Sequence, residues 1–450
     1  MFNKILIANR GEIALRILRA AHELDIKTVA VYSEVDSNLE HLKLTDEKIC
    51  IGTADPHDSY LNMHAILKAA RETKVDAIHP GYGFLAENSD FIKQVHNEGF
   101  IFIGPSMETM SLIPNKIASI VKMQALGIPC IPGSNAALMD NDEFNFKLAH
   151  ELGFPVIIKA AKGGGGYAIN VAHSPASLLK VIRLTQEQAA KFFGDPSVYM
   201  EKFLDDCRHI EIQLLSDYKG HVIYLAERDS SMQRNKRKII DESPAPDISN
   251  AMLIEINEKC VQVLKELKIT GVATFEFLLA NDKFYFLEIN PRIQVGHTVT
   301  EIVSNIDLVK EQIKMAAGEE LTIQQQDVRV NGNAIQCRIF AEDQRTATPS
   351  SGTIKLFHAP SGPGVRVDSH LYSGYTVPVE YDHLLAKIIT YNTTREATIN
   401  RMRNALDEVI INGVITNLPL LQSILYDEGY LNTKFTTDYL EKKLGPIAKF

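Results

Sequence analysis

The 450-residue sequence has no apolar run near the 18 or more residues a membrane span needs, and Lys4, Arg10 and Glu12 fall where a secretory signal's apolar region would lie. The expectation is a cytoplasmic protein with no membrane partner. Cysteine is scarce and scattered: Cys50, Cys130, Cys207, Cys260 and Cys337 stand more than 50 residues apart. No CxxC pair suggests a zinc site, and an odd count argues against a disulfide framework, so these residues read as small buried hydrophobes. Positive charge is in deficit, 47 Lys and Arg against 56 Asp and Glu for a net −9, which removes any chain-wide drive toward nucleic acid. Any anion must meet a local basic patch. With 26 Gly and 18 Pro and no low-complexity stretch or repeat, collagen-like and disordered classes are excluded. What remains is an ordinary globular chain long enough for about three domains.

The pattern divides accordingly. Lys4 to Asn9 is a short apolar run, followed by a helical segment and by Thr28 to Tyr32, a βαβ opening. Ile13, Ile17, Ala21 and Leu24 share one helical face, with Glu12, Arg16, Arg19 and Glu23 on the other. Only Gly11 stands where a G-x-G-x-x-G dinucleotide turn needs three glycines, which argues against NAD. Parallel strands with crossover helices continue to about residue 114. A second region, 115–329, has a strand over Val156 to Lys159, a glycine-rich loop and three strand-like runs between 198 and 226. The third, 330–450, is rich in short strands and turns and closes on a helix carrying Ile399, Met402, Leu406 and Val409.

Three constellations carry chemistry. In Lys159-Ala-Ala-Lys162 followed by Gly163, Gly164, Gly165 and Gly166, a loop can wrap backbone N–H groups around phosphate oxygens while lysine neutralises charge. The lysines precede the glycines, so this is not the Walker pattern. In the hairpin Phe275 to Asn290, a three-residue loop of Asn281, Asp282 and Lys283 would set Ala280 opposite Phe284 and hence Glu276 opposite Glu288. Two opposed carboxylates, with Asn290 on the same face, suit a cation between them, Mg²⁺ or Mn²⁺. The third is basic: Lys202, Arg208, His209, Arg228, Arg234, Lys236, Arg237 and Lys238, with Arg292 following the hairpin. A solvated face is the usual meaning of such a run, but its placement favours an anionic co-substrate.

The motifs Ile7-Ala-Asn-Arg-Gly-Glu-Ile-Ala14, His79-Pro-Gly-Tyr-Gly-Phe84, Tyr199-Met-Glu-Lys-Phe203, Ser231-Met-Gln-Arg234, Arg292-Ile-Gln-Val295 and Gly374-Tyr-Thr-Val-Pro378 occur in one order along the chain. In these the sequence resembles the biotin carboxylase subunit of acetyl-CoA carboxylase, an ATP-grasp family, over essentially its whole length. The resemblance implies an α/β and α+β fold. It would comprise a Rossmann-like parallel-sheet domain (1–114), an ATP-grasp domain (115–329) with a glycine-rich lid (about 131–203), and a mixed α/β C-terminal domain (330–450). It implies ATP held by Lys116, Lys159, Gly163 to Gly166, Glu201, Lys202, Leu204, His209, Gln233, Lys236 and Leu278, with Glu276, Glu288 and Asn290 on the metal. Bicarbonate would lie on Lys238, Arg292, Gln294 and the Val295 backbone, and biotin near Tyr82 and Arg338. Lys238, Arg292 and Arg338 would be catalytic, Arg338 steadying the enolate of biotin. With no Met-Lys-Met attachment site in the sequence, biotin is expected on a separate carrier protein, with carboxyltransferase subunits as further partners and a homodimer formed near Arg19, Glu23 and Arg366.

The departures from the family cluster at the bicarbonate step. Gly296 stands where the family has the glutamate that deprotonates bicarbonate, a loss worth about 10² to 10⁴ in rate for a positioned base. Glycine there could instead ease a bulge, and His297 is the neighbouring side chain able to act in its place. On this reading Gly296→Glu raises turnover, and the rival reading is a catalytically weak nucleotide-binding paralogue. Lys236 stands where many relatives have histidine near the ribose, and Thr437 where an apolar residue lines the adenine.

Overall fold

The computed structural model describes residues 1–113, 115–162 and 167–445. The four glycines Gly163 to Gly166 lie outside the described residues, as does Pro114. The N-terminal third is a five-stranded parallel sheet in which Lys4–Ile7 is flanked by Lys27–Ser33 on one side and Ala77–His79 on the other. Crossovers through helices leave its central strands Lys4–Ile7, Lys27–Ser33 and Ala77–His79 largely buried, while the edge strand Glu47–Gly52 is more exposed. The first helix, Gly11–Glu23, departs from a two-faced pattern, because Glu12 and Arg16 are buried along with Ile13 and Ile17. Its polar side is turned into the protein, where Arg16 Nη2 donates to Glu301 Oε1 at 2.8 Å.

Two antiparallel sheets follow. Strand Val156–Ala160 pairs with Ile169–Ala172 and Val198–Lys202 in a three-stranded layer covered by the helix Pro175–Phe193. The larger sheet has nine strands and is continuous from Lys283–Asn290 through Gly271–Ala280, Arg208–Ser216, Arg228–Asp229 and Ile240–Ser243 to Asn333–Phe340, Leu384–Asn392 and Val365–Ser369, with Val222–Tyr224 on a side branch. Strands from the middle and the last third of the chain thus form one sheet, joined where Asp241 pairs with Gln336. Helix Arg395–Glu408 packs Ile399, Met402 and Leu406 on its C-terminal part. Among the described residues no helix is long and apolar enough to cross a membrane. Of the cysteines, Cys207, Cys260 and Cys337 are buried as expected, while Cys50 is exposed and Cys130 half-buried.

The hairpin corrects the expected turn. Ala280 pairs with Lys283, so the loop has two residues, and Asn281 and Asp282 both take positive φ (49° and 54°), the twist-matched geometry of a tight hairpin. Simple alternation from that turn would set Leu287 opposite Glu276. A bulge beyond Phe286 restores Glu276 to Glu288. It also separates the two chemistries of the strand. Phe284 and Phe286 pack with Phe275 and Phe277 in an apolar core shared with Ile256, Cys260 and Leu264 of the helix Asn250–Leu267, while Glu288 and Asn290 join Glu276 on the opposite face. Across the two strands the rings meet edge-on, with Phe277 and Phe284 centred 5.6 Å apart, and Phe275 and Phe277 lie nearly parallel along one strand. Phe277→Ala is expected to cost about 3–5 kcal/mol, read as a lowered denaturation midpoint; a loss below about 1 kcal/mol would contradict this packing.

Candidate active site

Three neighbouring strands set three carboxylates in a row, because Glu276 pairs with Glu211 on one side and with Glu288 on the other. Like charges directly opposite one another are unfavourable unless cations separate them, and two kinds of donor do so. Lys238 Nζ bonds Glu211 and lies 3.1 Å from Glu276 Oε2, with His209 Nε2 2.7 Å from the same oxygen. Asn290 Nδ2 donates to Glu276 Oε1 at 2.7 Å and to Glu288 Oε1 at 3.3 Å, and Lys116 Nζ lies 3.5 Å from Glu288 Oε2. Burial works to raise the Glu211 carboxyl, but Lys238 and Arg228 outweigh it and hold it at about 2. Glu276 is likewise held well below the usual range against its burial, by Lys238 and His209, and burial of Lys238 is outweighed by the two glutamates, which raise its ammonium.

The Glu276–Glu288 end fits a divalent cation. Two carboxylates converge there, bridged by the Asn290 amide N–H with Lys116 beside Glu288, and their oxygens are the hard ligands Mg²⁺ prefers. His209, Glu211 and Glu276 also bring ligand atoms within 4.8 Å of one another, but the Lys238 ammonium occupies that position. Glu211 was not among the residues singled out in the sequence. Its signal was the alternation His209, Glu211, Gln213, which puts three polar groups on one face of a buried strand.

The other expected residues fall in three groups. Arg292 and Gln294 join the row: Arg292 Nη2 donates to Asn290 Oδ1 at 3.0 Å, and Gln294 Nε2 to Glu276 Oε1 at 2.8 Å. Val295 beside them is half-buried. Glu87, also unanticipated, pairs with Arg292 at 3.1 Å. Lys159 and Glu201 form a separate buried pair at 2.5 Å on the three-stranded sheet. Tyr199 on that sheet lies within the field of both Glu201 and Glu288, which with burial raise its hydroxyl. Gln233 lies 3.4 Å from His209 Nδ1, and Leu278, half-buried, pairs with His209 on the adjacent strand. Lys202 bonds the Gly153 carbonyl at 2.8 Å, so its ammonium is committed to a turn, and Leu204 beside it is half-buried. Lys236 is exposed at the tip of a two-residue hairpin with φ 61°.

The basic run is not a solvated face. Arg228 is fully buried on Glu211 at 2.8 Å, Arg208 pairs with Asp229 at 2.7 Å, and Arg237 with Glu342. Of the residues expected near biotin, Arg338 makes a bidentate pair with Asp241 at 2.7 Å for each bond, and Tyr82 donates to Glu12, which pairs with Lys387 at 2.8 Å. His297 does not face this site. Its Nδ1 donates to the Gln294 carbonyl at 2.7 Å, and its Nε2 lies toward Glu301, 3.9 Å away. Burial, with Lys387, Arg16 and Arg366 nearby, holds the ring well below the usual histidine range and therefore neutral. Gly296 is no bulge residue either: it caps the helix His297–Ser304 with φ −79° and ψ 4°.

A parallel-sheet unit, an antiparallel sheet carrying a carboxylate row with lysines, and a small sheet with its own Lys–Glu pair define an ATP-grasp ligase. Family models agree in order along the chain: "Biotin carboxylase, N-terminal domain" matches residues 1–110, "Carbamoyl-phosphate synthase L chain, ATP binding domain" 115–324, and "Biotin carboxylase C-terminal domain" 336–442. The biotin carboxylase of Allochromatium vinosum is 51% identical over 445 residues, 99% of each chain. A Campylobacter jejuni biotin carboxylase solved with a β,γ-ATP compound superposes with a TM-score of 0.96 at 42% identity, covering 98% of this chain and 99% of that one. The biotin carboxylase domain dimer of Hydrogenobacter thermophilus 2-oxoglutarate carboxylase, solved with MgADP, ADP and bicarbonate, gives 0.95 at 40% identity over the whole of both chains. The chain belongs to the biotin carboxylase family.

Because Glu211 is held at about 2 in the folded protein against an ordinary 4.5, its stabilisation is full above about pH 4.5 and is lost as pH falls toward about 2. Glu211→Gln is expected to cost about 3–5 kcal/mol at neutral pH, since it leaves fully buried Arg228 and half-buried Lys238 underpaired. The Tm gap between wild type and variant should stay level from pH 7 to 5 and narrow below 4.5; a gap still undiminished at pH 3 would contradict the arrangement.

Proposed function

We propose that the protein carboxylates biotin held on a separate carrier protein, using ATP and bicarbonate, as the first half-reaction of an acetyl-CoA carboxylase that feeds fatty acid synthesis. The observation that carries this reading is that Glu276, Glu288 and Arg338 share one sheet, while Lys238, from a neighbouring two-stranded hairpin, bonds Glu276, and Arg292, from the segment after the hairpin strand, bonds Asn290. Glu276, Glu288 and Asn290 would hold Mg²⁺ or Mn²⁺, which when bound neutralises charge on the nucleotide phosphates. Lys116, Lys159 and the glycine loop would take the phosphates, with Glu201, Lys202, Leu204, His209, Gln233, Lys236 and Leu278 shaping the nucleotide pocket. Bicarbonate would lie on Lys238, Arg292, Gln294 and the N–H of Val295. Arg338 would face the ureido group beside Tyr82, where its guanidinium stabilises negative charge as the ring nitrogen loses its proton.

Further support is electrostatic. The charge of Arg338 acts on both Lys238 and Tyr82, as expected if the bicarbonate and biotin positions adjoin. The division into units of 1–114, 115–329 and 330–450 fits this allocation, with the lid at about 131–203. A homodimer would use the open cleft of about 450 Å³ lined by Arg16, Arg19, Glu23, Asp307 and Arg366. Carboxyltransferase subunits would complete the complex, in the cytoplasm.

ADP release measured with Mg-ATP, bicarbonate and free biotin, omitting each in turn, is expected to require all three. Nucleotide binding without biotin-dependent turnover would contradict the proposal. Glu288→Gln should weaken Mg²⁺-dependent ATP binding at least tenfold by calorimetry, and unaltered affinity would exclude the Glu276–Glu288 metal position.

A further inference from the structure

Nothing in the backbone demands glycine at 296, since φ −79° and ψ 4° are open to any residue. Its neighbours do. A Cβ at this position would lie 3.1 Å from Asp241 Oδ1 and 3.2 Å from its Cγ, with Arg228 Cδ at 3.5 Å. Neither side chain is free to move. Asp241 is fully buried, and its two oxygens accept four hydrogen bonds: Ser230 Oγ and Arg338 Nη2 on Oδ1, Gln336 Nε2 and Arg338 Nε on Oδ2, each 2.7 Å. Arg228 is held by Glu211, Gln213, Thr300 and Thr274.

We propose that Asp241 is the positioning residue that fixes the Arg338 guanidinium, and that residue 296 is glycine because Asp241 occupies the space its side chain would enter. Asp241 is not a substitute base. All its acceptor positions are filled by protein donors, so none is left to take a proton from bicarbonate. Its work is done through Arg338. The bidentate pair fixes both the plane and the direction of the guanidinium, which a single-point contact would not. A glutamate at 296 would bring a second carboxylate onto Asp241, and the two would compete for one arginine. The sign expected from the family resemblance is therefore reversed: Gly296→Glu harms this protein.

The consequence for turnover rests on the biotin carboxylase reading, whereas the coupling of residues 296, 241 and 338 does not. Two readouts on the full-length protein separate them. In thermal unfolding with Mg-ADP, Gly296→Glu is expected to lower Tm by about 3 °C or more. In an Asp241→Asn background the same change should cost at most half as much, because the new carboxylate takes over Arg338. Gly296→Ala gives a smaller drop of the same sign and serves if the glutamate variant fails to fold. In the ADP-release assay, Asp241→Asn should reduce kcat at least tenfold with the KM for Mg-ATP within threefold, and Asp241→Asn with Arg338→Gln should be no slower than Arg338→Gln alone. A Gly296→Glu protein as stable as wild type, or additive losses at 241 and 338, would overturn the proposal. Absence of biotin-dependent turnover in the wild type would instead remove the biotin carboxylase reading while the Tm comparison still decides the coupling.

Discussion

The pairing of strand Ile240–Ser243 with strand Asn333–Phe340 is the constraint on which the site depends. Its register sets Asp241 opposite Gln336, and because side chains alternate, Arg338 falls two residues on along the same face. Both strands are buried throughout. A one-residue slip would turn Arg338 into the apolar core and bring Cys337 and Ile339 out. Through this seam the strands carrying Glu211, Glu276 and Glu288 and the strand carrying Arg338 belong to one sheet. Their relative positions are held by backbone hydrogen bonds and not by loops, which is the kind of support a reacting centre needs.

The electrostatics follow from burial. An acidic chain places its working cations inside, and each arrives with a carboxylate partner: Lys238 with Glu211 and Glu276, Lys159 with Glu201, Arg338 with Asp241, Arg292 with Glu87. Taking charges out of water is costly, and such pairs contribute little net stability compared with an apolar core. What they supply is fixed direction. An anion entering this site would meet donors that need no reorganisation, yet it would have to compete with resident carboxylates, and the proposed metal cation on Glu276 and Glu288 would tip that competition.

The parallel opening could be read from short apolar runs alternating with helical segments, and the helix Arg395–Glu408 from its single apolar face of Ile399, Met402 and Leu406. The carboxylate pair was also legible, but by a compensated route. The sequence suggests a three-residue loop where Asn281 and Asp282 make a two-residue turn, and the bulge past Phe286 restores the same partners. A bulge leaves no mark in an alternating pattern, so only the burial of Phe284 and Phe286 away from Glu288 could have exposed it. Glu12 and Arg16 looked like a wet helical face because their partners Lys387 and Glu301 are hundreds of residues distant. Asp241 was missed for the same reason: its partner Arg338 is 97 residues away. Gly296 stood out as a departure from the family, but its meaning required the position of Asp241 in space.

The measurement that bears most directly on the account is a crystal structure of this protein grown with MgADP and bicarbonate. The account predicts a metal on Glu276 and Glu288 and an anion against Lys238, Arg292 and the Val295 N–H, with Arg338 still paired to Asp241 in both bonds. A metal held elsewhere, or an anion seated on Arg338 with Asp241 displaced, would contradict it.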